Sequence, residues 1–198
     1  VGDLLVMAPL FAALLVVWML QYPQFLLLRQ RIMIGRARLG LPCPRPWSLG
    51  QYLDHNIRHN LLFIAAPISL IVLAEDLAML YLDPWLRAHL SPSAADLALV
   101  ASVAGCAGGI FLIAPVMIVH IWRTSRLSDG PLRQRLRALA AALGLRQRDL
   151  RIWHSGGLIA NAGVMGLIGP VRYVLLSDGL LEQMTEDEIK AIFAHEAG

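Results

Sequence analysis

The chain has 198 residues, 57% of them hydrophobic, and a mean hydropathy of +0.60, values that set it apart from an ordinary soluble domain and favour a membrane protein. Its net charge is only +3, and all but one of its basic residues are Arg, a compositional bias without the aromatic-interleaved basic region of a nucleic-acid surface. Two cysteines, Cys43 in a polar connection and Cys106 inside an apolar run, exclude a disulfide framework.

The first expected span is residues 4–20, uninterrupted by charge and about long enough to cross a hydrocarbon layer of roughly 30 Å at about 1.5 Å per helical residue. Its leading flank carries Asp3 and no Arg or Lys, and no small-residue cleavage pattern follows, which argues against a signal peptide. The second expected span, 61–82, is interrupted by Glu75-Asp76. Two placements suit this pair: the outer interface, with Tyr81 and Trp85 as interfacial aromatics, or a polar cavity inside the membrane, where it would be functional. The third, 97–122, contains Ala101, Gly105 and Gly109 four residues apart, a small-residue stripe suited to packing against another span or to a dimer face. It closes with His120, Trp122 and Arg123. One proline lies in each span (Pro9, Pro67, Pro115), tolerable within a helical bundle.

Arg distribution sets the orientation. Between the first two spans lie Arg29, Arg31, Arg36, Arg38, Arg45 and Arg58 against Asp54. The next connection carries Glu75, Asp76, Asp83 and Asp96 against Arg87, and after the third span come Arg123, Arg126, Arg133, Arg135 and Arg137. Positively charged connections stay in the cytoplasm, so the C-terminal segment is expected there.

That segment begins with a turn, Ser128-Asp129-Gly130-Pro131, followed by Leu132, Leu136, Leu139 and Leu143 at helical period; Arg133, Arg135 and Arg137 are expected on another face, either solvated or against anionic lipid headgroups, and the helix to end near Gly144. Strands are expected within 150–153, 158–167 and 171–176, making a small sheet. Thr185-Glu186-Asp187-Glu188 reads as a capping box that starts a last helix at Glu186, with Ile189, Ile192 and Phe193 as its buried face.

This helix runs into Ala194-His195-Glu196-Ala197-Gly198. A zinc hydrolase needs two imidazoles converging on one metal, and helical spacing of i and i+4 provides them, with a Glu beside the first to accept a proton from water. His195 and Glu196 fit the first two places, and a second His is expected immediately after Gly198. A His-Glu dipeptide alone is commonplace; its neighbours give it weight. Asn161-Ala162, Gly166-Leu167, Val174-Leu175-Leu176-Ser177-Asp178-Gly179-Leu180-Leu181 and Asp187-Glu188-Ile189, in this order before His195-Glu196, resemble the M48 peptidases, the family of the HtpX membrane proteases and the CAAX prenyl-protein proteases. The resemblance covers roughly residues 123–198 and leaves open which of these two subfamilies applies, since neither lead-in matches three spans.

The resemblance implies a mainly α chain in which transmembrane helices (1–126) precede the start of a zincin-like α+β metalloprotease domain with a small sheet (127–198), truncated within its metal motif. It implies one zinc ion per full-length catalytic domain, held by His195 and by ligands expected beyond the chain end, with Glu196 as general base and Asn161 and Ala162 beside the substrate on an edge strand. Implied partners are a peptide or membrane-protein substrate and the bilayer, with no nucleic acid. The expected activity is zinc-dependent endoproteolysis at the cytoplasmic face of a bacterial inner membrane, as in membrane-protein quality control; the fragment itself is expected to be inactive. Two alternatives stay open: an M56-like membrane sensor protease, and a non-catalytic scaffold retaining the fold. His55 and His59, four apart, form a second conceivable metal pair, but a basic approach to a span commonly places such residues at the interface.

Overall fold

Among the described residues three helices are long and apolar enough to cross a membrane: α1 (Ala8–Arg38), α2 (Leu49–His89) and α3 (Pro92–Ile121). The structure is a computed structural model, and the residues it describes are 6, 8–38, 40, 43 and 46–197. Leu4, where the first expected span begins, Arg45 and Gly198 lie outside them. Only 6%, 6% and 0% of the most apolar windows of the three helices is buried within the chain, so nearly all of their apolar surface is left for lipid.

All three helices outrun their expected spans. At about 1.5 Å per residue, the 31 residues of α1 extend roughly 46 Å, beyond a hydrocarbon layer of about 30 Å, and its basic end rides clear of the apolar run. The expected basic connection is therefore largely helix, carrying Arg29, Arg31, Arg36 and Arg38. α2 starts at a capping box, in which Ser48 Oγ accepts from Gln51 N at 3.3 Å and Gln51 Oε1 accepts from Ser48 N at 3.0 Å. It passes through two π-helical turns, Ile57–Leu62 and Ala78–Leu82. Polar side chains mark both ends of the α2–α3 pair. At one end Arg58 meets Asp54 at 2.9 Å and donates to the Ile121 carbonyl at 3.3 Å; at the other Arg87 pairs with Asp83 at 2.9 Å and Asp96 at 2.8 Å. Glu75 lies roughly 26 Å along the helix from Arg58 and short of the polar end at Arg87, and Asp76 lines an apolar groove with Ala66, Leu70, Leu73 and Met117. A Cβ at Gly105 or Gly109 would meet nothing within 4 Å, so the small-residue stripe is uncovered by the described residues, while α3 packs through Ala114, Pro115, Ile118 and Val119.

The chain leaves α3 through Arg123, whose φ of 50° turns it back toward the sheet. Arg151 fastens the corner: its Nε donates to Thr124 Oγ1 at 2.6 Å and its Nη2 to the Thr124 carbonyl at 2.5 Å. β1 (Ser125–Arg126), β2 (Asp149–Trp153), β3 (Ala162–Met165) and β4 (Tyr173–Ser177) form one sheet in the order β1-β2-β4-β3. β2 and β4 are parallel, with Leu150 opposite Val174; the outer pairs are antiparallel, with Ala162 opposite Leu176. Of the expected strand 158–167 only the central four residues pair. One face of the sheet (Leu150, Val174, Leu176, Ala162) packs on α4 (Pro131–Ala142), α5 (Asp178–Gln183) and α6 (Glu186–Ala197). The other (Tyr173, Leu175, Met165) rests against Val119 and Trp122 at the end of α3. Covered on both sides, β4 has all five residues buried, which explains why its sequence is a continuous apolar run rather than an alternating one.

The polar face of α4 departs from expectation at Arg133. This side chain is 1% exposed, its Nη2 meeting Asp149 Oδ1 at 2.5 Å and its Nη1 donating to the Leu127 carbonyl. Arg135 remains exposed and pairs with Glu186.

Candidate active site

The helix that carries His195 and Glu196 starts where the sequence places it. Thr185 N donates to Glu188 Oε2 at 2.8 Å, and Glu188 N to Thr185 Oγ1 at 3.4 Å; the amide and hydroxyl of Thr185 hold the Glu188 carboxyl below its ordinary range. Ile189 and Phe193, one turn apart, are buried in the cluster that includes Leu136, Leu150, Ala162 and Leu176. His195 and Glu196 consequently emerge on the exposed side of α6, and neither makes a hydrogen bond or ion pair among the described residues. An exposed imidazole beside an exposed carboxylate suits a metal ligand next to a proton acceptor. Among the described residues, however, no three His, Cys, Asp or Glu side chains converge on one point, so they hold no complete three-ligand set around His195.

α6 lies against β3, through Phe193 and Ala162 in their shared core. β3 is a terminal strand, hydrogen-bonded on one side to β4. Ser177 N donates to the Asn161 carbonyl at 2.9 Å, and antiparallel alternation from that bond turns the backbone groups of Ala162 and Val164 to the outer edge. Asn161 is exposed, and its side chain folds back on its own strand, where its Oδ1 accepts from Ala162 N at 2.9 Å. That leaves the Ala162 carbonyl and both backbone groups of Val164 for an incoming strand. Ala162 itself is 8% exposed, its side chain in the core.

The Ser-Asp-Gly-Leu-Leu run, noticed only as a landmark in the sequence, fixes this edge. Ser177 Oγ accepts from Asn161 N at 2.8 Å and from Leu180 N at 3.2 Å, capping α5 and anchoring the start of β3 together. Asp178 gathers the turn before β3, accepting from Ser155 Oγ at 2.6 Å, Ser155 N at 3.0 Å, Gly156 N at 2.8 Å and Gly179 N at 2.8 Å. Burial alone would raise its carboxyl, but these donors outweigh it and hold the group below the ordinary Asp range. At Gly179 a Cβ would come within 2.3 Å of the Ile159 carbonyl oxygen, so no other residue fits there without moving that backbone.

His55 and His59 come together, but as part of an aromatic stack. Their rings lie 3.9 Å apart, and His59 continues to Trp122 at 5.0 Å and Trp153 at 5.8 Å. Trp153 Nε1 donates to His59 Nε2 at 2.8 Å while His59 Nδ1 lies 2.9 Å from the His55 carbonyl. An indole N–H only donates, so His59 is neutral with its proton on Nδ1, and both nitrogens are engaged. This pair ties α2 to the sheet. Arg36 meets Glu182 at 2.5 Å and so ties α1 to α5; nothing in the local sequence pattern signals either long-range contact.

A groove of about 270 Å³ opens between the membrane helices and the sheet edge, walled by Phe63 of α2, Trp122, Trp153, Leu175 and the strand from Asn161 to Met165. Sequence reading takes Trp122 only as an interfacial aromatic; that it meets Phe63 and Trp153 depends on the turn at Arg123. Residues 126–198 match the family model of Peptidase family M48. No curated protein and no solved structure matches the chain.

Proposed function

We propose that this chain, whose residues 126–198 belong to Peptidase family M48, is a membrane-bound zinc-dependent endopeptidase acting at the cytoplasmic membrane surface. The family makes it a metallopeptidase, generally zinc-dependent, and the three apolar helices suggest membrane insertion. In this reading residues 1–126 are the membrane domain and 127–198 belong to the peptidase domain. The observation that carries it is the family match together with His195 and Glu196 side by side on the exposed face of the capped α6.

When bound, zinc supplies a Lewis acid that acidifies water and polarises the scissile carbonyl. His195 offers an imidazole nitrogen to hold it. The Glu196 carboxylate takes the proton from the attacking water and returns it to the departing amine. Asn161 holds the Ala162 amide, so the outer edge of β3 is ready to pair with an extended substrate through the Ala162 carbonyl and the Val164 backbone. The Arg-rich ends of α1 and of the segment after α3 support a cytoplasmic placement, in a bacterial inner membrane, where quality control of membrane proteins is the suited task.

The test is Glu196→Gln in the full-length protein. It should retain zinc, measured by metal content, and lose peptide hydrolysis by a factor of about 10² or more. Unchanged cleavage would remove Glu196 as the base and sink the assignment.

A further inference from the structure

Beside the outer edge of β3, the groove walled by Phe63, Trp122, Trp153 and Leu175 is apolar, yet the strand beside it calls for a polar partner. The Val164 backbone is turned outward, with no strand to bond there among the described residues. An extended peptide suits both surfaces: main-chain groups for the strand edge, and alternate side chains that fall toward the groove.

Gly163 controls the space. It lies opposite Leu175 in the middle of β3, and a Cβ built there would meet nothing within 4 Å. Any larger residue would project into open volume, so the glycine leaves the groove accessible without being required by the strand's own packing.

We propose that this groove is a specificity pocket, taking a bulky apolar side chain of an extended peptide that pairs with the outer edge of β3. The inference rests on the peptidase reading and names its substrate class: because Phe63 and Trp122 belong to the membrane helices, the selected side chain lies in a segment that leaves the bilayer beside them. Gly163, Phe63 and Trp122 are specificity-determining residues and take no part in bond cleavage.

The experiment uses the full-length protein in lipid nanodiscs, with Glu196→Gln so that peptide is not consumed. Fluorescently labelled ten-residue peptides carry Leu, Phe, Ala or Asp at one central position, and binding is read by polarisation. Leu and Phe peptides should bind about tenfold or more tighter than Ala and Asp peptides. Gly163→Leu should bring that ratio close to one. Hydrogen exchange in β4 shows whether the variant has lost the sheet; should it do so, Phe63→Ala, which widens the groove from the membrane side, replaces it and must lower the same ratio. A ratio unchanged in the folded variant, or no preference in the unmodified groove, overturns the proposal. So does a change confined to co-purified lipid, which would make the groove a lipid site. The two readings fail separately: preference without cleavage in the Glu196 protein removes the peptidase reading alone, and cleavage without preference removes the pocket alone.

Discussion

Along α1–α3, Val17, Leu27, Leu73, Leu80 and Phe111 stay exposed on the chain's own surface, whereas from Ser125 onward Leu136, Leu150, Val174, Leu176 and Phe193 are almost wholly enclosed. Both regions are strongly apolar, but the helices leave most of their apolar surface uncovered by the chain and meet one another over limited patches, Tyr22 and Phe25 on Tyr52 between α1 and α2 and the buried Ala114, Pro115 and Ile118 of α3, with polar pairs near the ends. The sheet segment builds its own core between α4–α6 on one face and the end of α3 on the other. A long apolar run therefore means two different things in one chain: 97–122 is a helix facing lipid, and 173–176 is a strand enclosed by protein.

The widest break in that comparison comes from emptying the sheet core. Phe193→Ala should destabilise the segment from Ser125 by about 3–5 kcal/mol, since the ring is 0% exposed, while Leu73→Ala, at 47% exposed, should cost less than about 1 kcal/mol. Hydrogen exchange of the sheet amides in nanodiscs measures both; equal losses would mean that α2 has a protein core of its own. A somewhat smaller effect is expected at the buried ion pair. Arg133→Leu leaves Asp149 without its main partner and should cost roughly 3 kcal/mol, and Arg133→Leu with Asp149→Leu should recover much of it. A double variant as unstable as the single one would show that Arg133 acts through the Leu127 carbonyl instead. The smallest effect is set by pH. Asp178 has its carboxyl held below its ordinary value of 3.8, so its contribution is fully present above that value and is lost as pH falls through the depressed folded value. Asp178→Asn should remove the added acid sensitivity of the Ser155–Gly157 turn while leaving α1–α3 unaffected. An acid profile identical in the variant would assign that sensitivity elsewhere.

Much of this arrangement is legible in local pattern. The apolar runs announce three helices, Thr185 and Glu188 announce the start of α6, and Gly144 announces the end of α4, because caps and lipid-length runs are set by neighbours a few residues apart. The ordered landmarks from Asn161 to Glu196 were enough to reach the family that the match to residues 126–198 then bore out. Arg133 was misplaced for the complementary reason: a basic residue between helical leucines reads as solvated unless Asp149, sixteen residues on, is known to lie beneath it. The stripe at Ala101, Gly105 and Gly109 suits another span or a dimer face, and the direction α3 presents to α2 depends on how the whole helix pair docks.

The sequence by itself determined the elements, their apolar character and the His195-Glu196 pair, all consequences of short-range spacing. The tertiary structure alone decided which side chains face each other across long separations: Arg36 on Glu182, His59 on Trp153, and Phe63 and Trp122 beside Gly163. Those meetings depend on where the chain turns at Arg123 and on the register of β3 against β4, and no local spacing encodes either.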